Sequence, residues 1–329
     1  MAEENQQHLA GKEPSTSFES FAAVSLPEHL RTCPVPTHLI VSNSLRLSSS
    51  FEIYRRVLSS RSVPDIYIPH ELPAQVGEPD VDGLRAMLSV FRASPALRTL
   101  VVSEPYKYVI MSLLESLDPR ATEIGAVNLV TKRENKLIGD NLDGMAFALA
   151  VQKELGISFD RKAMIFFGCG GISSAVAINL AKRLAKVALI DVSFDRTLKL
   201  RDKLLALNPK LRVFVADRSE ELDLRGFEYF YNGTGLGKNS SNENSVLLTP
   251  LHAFDELPEY GVAFDANYTP WESAFLRRFS SLDFIRLNGF SHMIAFASLH
   301  LSMITGSDVS YETVREHAAF VVPSAVARQ

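Results

Sequence analysis

One short run of residues has the types and spacing needed to hold a dinucleotide. It lies between an apolar run at residues 163–167 and a helical pattern at residues 173–184, and consists of Gly168, Cys169, Gly170 and Gly171. Glycine permits a tight turn and lets backbone N–H groups approach a pyrophosphate, and the helix start adds partial positive charge. Asp191 ends the next apolar run, 20 residues after Gly171, where a carboxylate can accept hydrogen bonds from an adenosine ribose. The alternative is a strand-to-helix turn that holds no ligand.

Two charged side chains follow other apolar runs. Lys107 lies in the first turn of a helical pattern just after the run at residues 97–102, and Asp143 precedes a helical pattern at 145–155. The helix dipole disfavours a cation at that position, and strand ends are where open α/β sheets bind ligands. From position alone, a solvated surface lysine and a helix-capping aspartate explain the two residues as well as a catalytic pair does.

The elements that must position these residues alternate along the chain. Strands are predicted at residues 39–41, 66–68, 97–102, 125–130, 137–139, 163–167, 187–190, 211–215, 227–231, 261–266 and 284–287. Helices are predicted at 51–58, 81–91, 106–117, 145–155, 173–184, 196–207, 293–304 and 311–321. Such alternation predicts an α/β fold with parallel sheets and right-handed crossovers, and the polar turn at 132–136 predicts a hairpin.

Composition limits the class of protein. The chain has 329 residues, 46% hydrophobic and 22% charged, which indicates a globular protein of two domains. A net charge of −4 gives no reason to expect nucleic acid or an anionic membrane as a partner, and two cysteines form neither a disulfide framework nor a metal-binding spacing. Residues 1–36 are polar and proline-rich, which predicts a flexible tail without a secretory or transit signal and therefore a cytoplasmic protein.

Seven motifs, in order from about residue 37 to the end, resemble the shikimate/quinate dehydrogenase family. They are Ser48-Ser49-Ser50, Ser103-Glu104-Pro105-Tyr106-Lys107, Gly125-Ala126-Val127-Asn128, Gly139-Asp140-Asn141-Leu142-Asp143-Gly144, the loop from Gly168 to Gly171, Asn232-Gly233-Thr234, and Asp265-Ala266-Asn267-Tyr268-Thr269-Pro270. Asn288-Gly289 also falls where the family has Asp-Gly before its last helices. Several unrelated motifs in the right order make an accidental match improbable.

The resemblance implies a role for each matching residue. Lys107 is expected to be the acid/base group with Asp143 beside it. Substrate-binding residues are expected to be Ser48, Ser50 and Tyr268 for a carboxylate, Ser103 and Asn128 for ring hydroxyls, and Phe296 where the family has a glutamine. Cofactor-binding residues are expected to be Gly168, Cys169, Gly170, Gly171, Ile172, Asp191, Asn232, Thr234 and Gly289. No metal is expected.

The same resemblance implies two domains around a cleft. Residues 37–142 with 290–329 are expected to bind the substrate, and residues 143–289 are expected to form a Rossmann-type dinucleotide-binding domain, with hinges near Asp143 and Gly289. The activity implied is dinucleotide-dependent oxidation of a ring hydroxyl of quinate or shikimate, by a monomer or a homodimer.

Departures from the family pattern leave the substrate open. Phe296 replaces the glutamine, Glu104 stands where the family has a small or apolar residue, Leu142 replaces a threonine, and Phe51 replaces a proline. An aminated or otherwise modified ring is therefore an alternative substrate. A regulator that binds a shikimate-like ligand or NAD without turnover is a second alternative, against which the presence of Lys107 and Asp143 argues.

The residues after the second strand of the dinucleotide unit predict the cofactor. NADP-using members have Asn-Arg-Thr there, and this chain has Asp191-Val192-Ser193. A carboxylate accepts from a ribose 2′-hydroxyl and repels a 2′-phosphate, which predicts NAD in preference to NADP. Arg196 lies close enough in sequence to weaken this argument.

Overall fold

The protein has the α/β fold class that the sequence predicts, with helices packed around two six-stranded sheets. The structure is a computed structural model that describes residues 34–43, 49–72, 78–216, 223–236 and 257–323. The predicted tail, apart from residues 34–36, lies outside the described residues, and so does Ser48. Within the described ranges, no helix is both long and apolar enough to cross a bilayer.

The first sheet is mixed. Its strands are β1 Thr37–Ser42, β2 Ile66–Glu71, β3 Leu97–Val102, β4 Ser116–Leu117, β5 Leu129–Arg133 and β6 Lys136–Asp140, in the spatial order β2-β1-β3-β5-β6-β4. β1 pairs in parallel with β2 and β3, whereas β5 runs antiparallel to β3 and β6. The predicted hairpin is therefore confirmed, and the expectation of purely parallel sheets is wrong for this sheet, because the hairpin reverses the chain direction.

The second sheet is fully parallel. Its strands are β7 Ala163–Phe167, β8 Lys186–Ile190, β9 Arg212–Ala216, β10 Tyr229–Asn232, β11 Tyr260–Asp265 and β12 Asp283–Leu287, in the spatial order β12-β11-β10-β7-β8-β9. The strand order reverses between β7 and β10, and open α/β sheets bind ligands at the carboxyl ends of strands at such a point. Gly168 follows β7 and Asn232 ends β10 at this edge.

Ten α-helices cover the sheets. They are α1 Ser50–Ser60, α2 Val81–Ala93, α3 Tyr106–Val109, α4 Pro119–Ile124, α5 Asp143–Leu155, α6 Gly171–Leu180, α7 Phe194–Leu207, α8 Ala274–Arg277, α9 Gly289–Thr305 and α10 Tyr311–His317, all within the described ranges. Helix α2 shows why such segments form. The Asp80 side chain accepts from Gly83 N–H at its start, and Leu84, Leu88 and Phe91 bury one face.

Helix α5 joins the two halves of the molecule. Phe147 and Val151 pack in the core beneath the second sheet, and Ala146 and Ala150 pack against α9 in a core of the first. Two faces of one helix are therefore buried in different cores, so the start of α5 is fixed relative to both sheets. The predicted domain boundaries at residues 142/143 and 289/290 stay a prediction.

The predicted helix at residues 106–117 is wrong. The α-helix ends at Val109, a 3₁₀ helix follows over Ile110–Leu113, and Ser116–Leu117 forms β4 instead. Strand β4 pairs in parallel with β6, Ser116 opposite Ile138. Helical periodicity in this segment is overridden by pairing at the sheet edge, which local sequence does not encode.

Candidate active site

Lys107 and Asp143 form a buried ion pair where β3 and β6 lead into helices. Lys107 is the second residue of α3 and Asp143 is the first of α5. Lys107 Nζ donates to Asp143 Oδ2 over 2.7 Å, and the two side chains are only 10% and 9% exposed. The structure therefore brings together the two residues that the sequence predicts as the acid/base pair.

The electrostatics of the pair keep both members charged. Burial lowers the pKa of Lys107, but the Asp143 and Glu104 carboxylates raise it by more, so the net pKa lies above its ordinary value. Burial raises the pKa of Asp143, whereas Lys107 and His292 lower it, with a net decrease. The pair is an ammonium–carboxylate pair at neutral pH, with a proton on the nitrogen.

The interpretation of Asp143 as a helix cap is wrong. The N-cap residue of α5 is Leu142, which has no side-chain cap bond, and Asp143 lies inside the first turn. Asn141 Oδ1 accepts from the Asp143 backbone N–H at 3.0 Å instead. The Asp143 carboxylate pairs with Lys107, and the start of the helix favours its negative charge.

Asn128 presents a fixed amide beside this pair. Its Oδ1 accepts from Leu142 N–H at 2.9 Å, which sets the orientation of the amide. Its buried Nδ2 faces the Asp143 carboxylate and helps to lower the pKa of that group, but it makes no hydrogen bond of good geometry within the described part of the chain. A buried donor in a poor hydrogen bond is costly, so a ligand oxygen that accepted from it would be favoured.

The other predicted substrate residues lie at the start of α1 and on neighbouring segments. Ser50 begins α1 and its hydroxyl is hydrogen-bonded to that of Tyr67, while the Tyr268 hydroxyl accepts from the backbone N–H of Ser49. These contacts place Tyr268 against the serine motif, as expected for a shared carboxylate site. Ser103 follows β3, with its N–H donating to Val41 O at 2.9 Å. Phe296 is partly buried on α9, with its ring 6.1 Å from that of His300.

The glycine loop begins with a residue that must be glycine. Gly168 has φ +84°, and a Cβ there would lie 3.1 Å from the Thr234 backbone. Its N–H donates to Ile190 O at 2.7 Å. Gly170 is the N-cap of α6 and Gly171 its first residue, so the loop presents first-turn N–H groups that have no partner inside the helix.

Asp191 lies beside this loop, and its carboxylate already has several partners. Cys169 N–H donates to Oδ2 at 2.7 Å, and Ser193 N–H donates to Oδ1 at 2.8 Å. Arg196, half exposed, lies 3.1 Å from Oδ1. The carboxylate therefore stabilises the loop and carries a neutralising guanidinium. The sequence placed Arg196 near enough to weaken the argument from Asp191, but it gave no sign of the hydrogen bonds from the loop.

The remaining predicted cofactor residues have structural roles that explain their types. Asn232 Nδ2 donates to Asp265 Oδ1 at 3.1 Å, and its Oδ1 accepts from the Thr234 hydroxyl at 2.7 Å. A Cβ on Gly289 would lie 2.0 Å from Ala266 O. Ile172 is the second residue of α6. Contacts of these residues with a dinucleotide stay a prediction.

Ser173 was missed by the sequence prediction. Its hydroxyl is buried in the first turn of α6 without a partner in the described ranges. A Cβ on Gly233 would lie 2.0 Å from this hydroxyl, so the second glycine loop packs directly on it. An orphaned hydroxyl at a glycine-lined helix start fits a phosphate-bearing cofactor, because a phosphate oxygen accepts from it. Its position in an apolar helical pattern gave no signal.

Glu104 reaches towards the glycine loop from the first sheet. A Cβ on Gly171 would lie 3.3 Å from Glu104 Oε1, which shows how closely the loop after β3 approaches α6. Desolvation raises the pKa of Glu104, Lys107 lowers it and Asp143 raises it, with a net increase. In the sequence, the only sign that Glu104 could matter to the site was that the family has a small or apolar residue there.

In the described ranges, no cluster of three or more His, Cys, Asp or Glu side chains is placed to hold a metal ion.

Comparison with known proteins shows which family this chain resembles. The family model for the shikimate dehydrogenase substrate binding domain matches residues 40–130. The chain is similar to the shikimate dehydrogenase (NADP(+)) of Symbiobacterium thermophilum, at 27% identity over 78% of this chain and 84% of that protein. It also resembles the structure of shikimate 5-dehydrogenase from Listeria monocytogenes with shikimate and NAD, at 23% identity and a TM-score of 0.73 over 86% of this chain and 96% of that chain. The structure of the Thermus thermophilus enzyme with NADP(H) and shikimate is similar at 23% identity and a TM-score of 0.73, over 88% of this chain and 100% of that chain.

The preference for NAD over NADP predicted from Asp191 is wrong. The curated relatives are named as NADP(+) enzymes, and similar structures hold NADP+. The physical reason lies in the contacts of Asp191, whose charge is balanced by Arg196 and whose oxygens accept from loop N–H groups. A carboxylate paired in this way repels a phosphate far less than a free one.

The motif order, the two-sheet architecture and these relatives all indicate the same family. The family model matches residues 40–130, and the two solved structures cover 86% and 88% of this chain. This chain resembles the shikimate dehydrogenase-like family.

Proposed function

We propose that this protein is an NAD(P)-dependent dehydrogenase that oxidises a ring hydroxyl of shikimate or quinate and reversibly reduces the 3-dehydro form. The observation that carries this proposal is the buried Lys107–Asp143 pair, 2.7 Å between Nζ and Oδ2, with the buried Nδ2 of Asn128 beside the carboxylate. The names of the curated relatives support the reaction class.

Lys107 is the proton-transfer group in this proposal. When bound, the dinucleotide supplies hydride chemistry at its nicotinamide. In reduction, the Lys107 ammonium donates a proton to the carbonyl oxygen as negative charge develops there. In oxidation, the neutral amine takes the hydroxyl proton. Asp143 orients the Lys107 amine and favours its charged form, so the pair as it stands is ready for the reductive direction.

Hydrogen-bonding groups around the pair define the substrate class. Asn128 Nδ2 and Ser103 offer partners to ring hydroxyls, and the serine motif with Tyr268 offers partners to a carboxylate. Such a site discriminates strongly against analogues that lack a hydroxyl, because its buried polar groups are then left unpaired. Phe296 offers no hydrogen bond, which favours a modified ring as the alternative substrate, with an apolar or aminated group on that side.

The cofactor site in this proposal is the glycine loop with the Ser173 hydroxyl. Gly168 to Gly171 and the first turn of α6 hold the pyrophosphate, and Ser173 donates to it. Arg196 is half exposed beside Asp191. It is the cation nearest to Asp191 in the described ranges, and we assign it to the 2′-phosphate of NADP.

A substrate panel tests the proposal. Purified protein is mixed with shikimate, quinate and aminated analogues, each with NAD and with NADP, and formation of the reduced nicotinamide is followed by absorbance. Turnover of at least one ring alcohol is expected. Retained binding of these rings by calorimetry without turnover of any would instead favour the alternative of a non-catalytic regulator.

A further inference from the structure

We infer that His292 is a positioning residue for the Lys107–Asp143 pair, an inference that rests on the proposed function. His292 lies in the first turn of α9, where its Nε2 donates to the Asp143 backbone oxygen at 2.9 Å. The same nitrogen lies 3.9 Å from Asp143 Oδ1. Lys107 Nζ contacts the other carboxylate oxygen, Oδ2, at 2.7 Å. One imidazole therefore contacts the main chain of Asp143 and lies near the carboxylate oxygen that does not bind Lys107.

The surroundings fix this imidazole in place. His292 is 7% exposed, and its ring packs edge-on against Phe147 at 6.1 Å between centroids. Burial lowers the pKa of His292 and Lys107 lowers it further, while Asp143 raises it, with a net decrease. The ring is therefore neutral at pH 7, and its proton is on Nε2, because that nitrogen donates to a carbonyl.

His292 also lines a small cavity. The cavity measures about 10 Å³, and Tyr231, Asp265 and His292 are its titratable lining residues. The Tyr231 hydroxyl is fully buried without a partner in the described ranges. The titratable groups around His292 are thus Lys107, Asp143, Tyr231 and Asp265.

The location of His292 explains how its hydrogen bond to the Asp143 carbonyl acts on the Lys107–Asp143 pair. Helices α5 and α9 begin at Asp143 and Gly289, and both helices contribute to the core beneath the first sheet. The His292 bond ties these two helix starts together at the point where the chain passes between the sheets. Asp143 in turn orients Lys107 Nζ, so the imidazole sets the position of the ammonium through the carboxylate.

Kinetics of two variants test this role. His292→Leu removes the donor while filling a similar volume, and His292→Gln keeps an N–H at a similar reach. We expect His292→Leu to lower kcat by about tenfold, as for loss of one buried hydrogen bond that positions the charged pair, with a smaller change in KM. The pH midpoint of oxidation should also move down, since a displaced Asp143 no longer raises the pKa of Lys107. His292→Gln should restore both.

His300→Gln is the matched control, because His300 is a buried histidine on the same helix that contacts Tyr54 and Thr99 instead. It should lower the melting temperature without moving the pH midpoint. Wild-type kcat and pH midpoint in His292→Leu, or the same midpoint shift in His300→Gln, would overturn the inference. If the wild type turns over no ring alcohol, the proposed function fails separately.

A second measurement does not depend on turnover. The reactivity of Lys107 Nζ towards acetic anhydride is followed against pH by mass spectrometry in the wild type, His292→Leu and His292→Gln. The midpoint for Lys107 should fall in His292→Leu and return in His292→Gln. Equal midpoints in the three folded proteins would contradict the positioning role whatever the substrate is.

Discussion

Lys107 Nζ lies 2.7 Å from Asp143 Oδ2, with both side chains about nine-tenths buried. Removing one member of such a pair leaves an uncompensated buried charge, which costs about 3–5 kcal/mol, whereas removing both charges is close to neutral. The free energy of unfolding should therefore fall in Lys107→Met and recover in the double variant Lys107→Met with Asp143→Asn.

Activity should not recover with stability. Lys107→Met should lower kcat by about 10²–10⁴-fold, the usual contribution of a general acid–base group, and dinucleotide affinity by calorimetry should stay nearly unchanged. The stable double variant should remain inactive. Lys162→Met is the matched control, since Lys162 pairs with Glu228 at 2.8 Å on the surface. Full activity in either Lys107 variant would rule out the proton-transfer role.

Glu104 should influence the pH dependence of oxidation. Burial lowers the pKa of Lys107, and the carboxylates of Asp143 and Glu104 raise it by more. Oxidation needs the neutral amine, so kcat for oxidation should rise with pH through the pKa of Lys107. Glu104→Gln removes one negative charge, so this pKa falls and the profile moves to lower pH. Glu115→Gln, in the surface pair with Arg92, serves as the control. An unmoved profile or an upward shift in Glu104→Gln would contradict the assignment.

Acid should destabilise the protein through buried His300. Burial lowers the pKa of His300 to about 3, against about 6.5 in an unfolded chain. Between these values the unfolded state binds a proton that the folded state excludes, so stability falls as pH decreases, by about 1.4 kcal/mol per pH unit at most. Above about pH 6.5 this histidine contributes no pH dependence.

Urea unfolding as a function of pH measures this effect. His300→Gln should be less stable near neutrality, because Tyr54 and Thr99 lose their partner, and its stability should fall less steeply below pH 6.5, the unfolded-state pKa. His317→Gln, on the surface helix α10, is the control. The same acid slope in His300→Gln and the wild type would show that His300 is not the source of the effect.

Arg196 should affect the two cofactors differently. Its guanidinium lies 3.1 Å from Asp191 Oδ1 at the end of β8, where an adenosine ribose is expected to bind. Arg196→Gln should raise KM for NADP by about tenfold, as for loss of one charge-assisted hydrogen bond, and change KM for NAD little. Lys199→Gln is the control one turn along α7, where Lys199 pairs with Asp195. An equal increase for both cofactors would argue against a contact with the 2′-phosphate.

Much of the fold follows from local sequence. The apolar run of β7, the glycines after it and the apolar stripe of α2 each predict the element that forms, because burial and backbone freedom act within a few residues. The segment after Lys107 was mispredicted, since its last two residues pair with β6 from the sheet edge. Pairing between distant segments is not encoded in local periodicity.

The candidate site was predicted unevenly for a related reason. Lys107 and Asp143 were predicted by resemblance, and the structure places them in contact. His292 and Ser173 depend on what other segments bring beside them, namely the Asp143 carbonyl and Gly233. Asp191 was misinterpreted because sequence proximity to Arg196 does not show whether the two side chains pair, and in the structure the guanidinium does lie against the carboxylate.

Product analysis tests the central claim most directly. The wild type and Lys107→Met are incubated with shikimate or quinate and an oxidised dinucleotide, and the ring ketone and reduced dinucleotide are both quantified by chromatography. The wild type should form the two in equal amounts, and Lys107→Met should form neither while still binding the dinucleotide. Equal product formation by the folded Lys107→Met protein, or no ketone from any ring alcohol with the wild type, would contradict a dehydrogenase that works through Lys107.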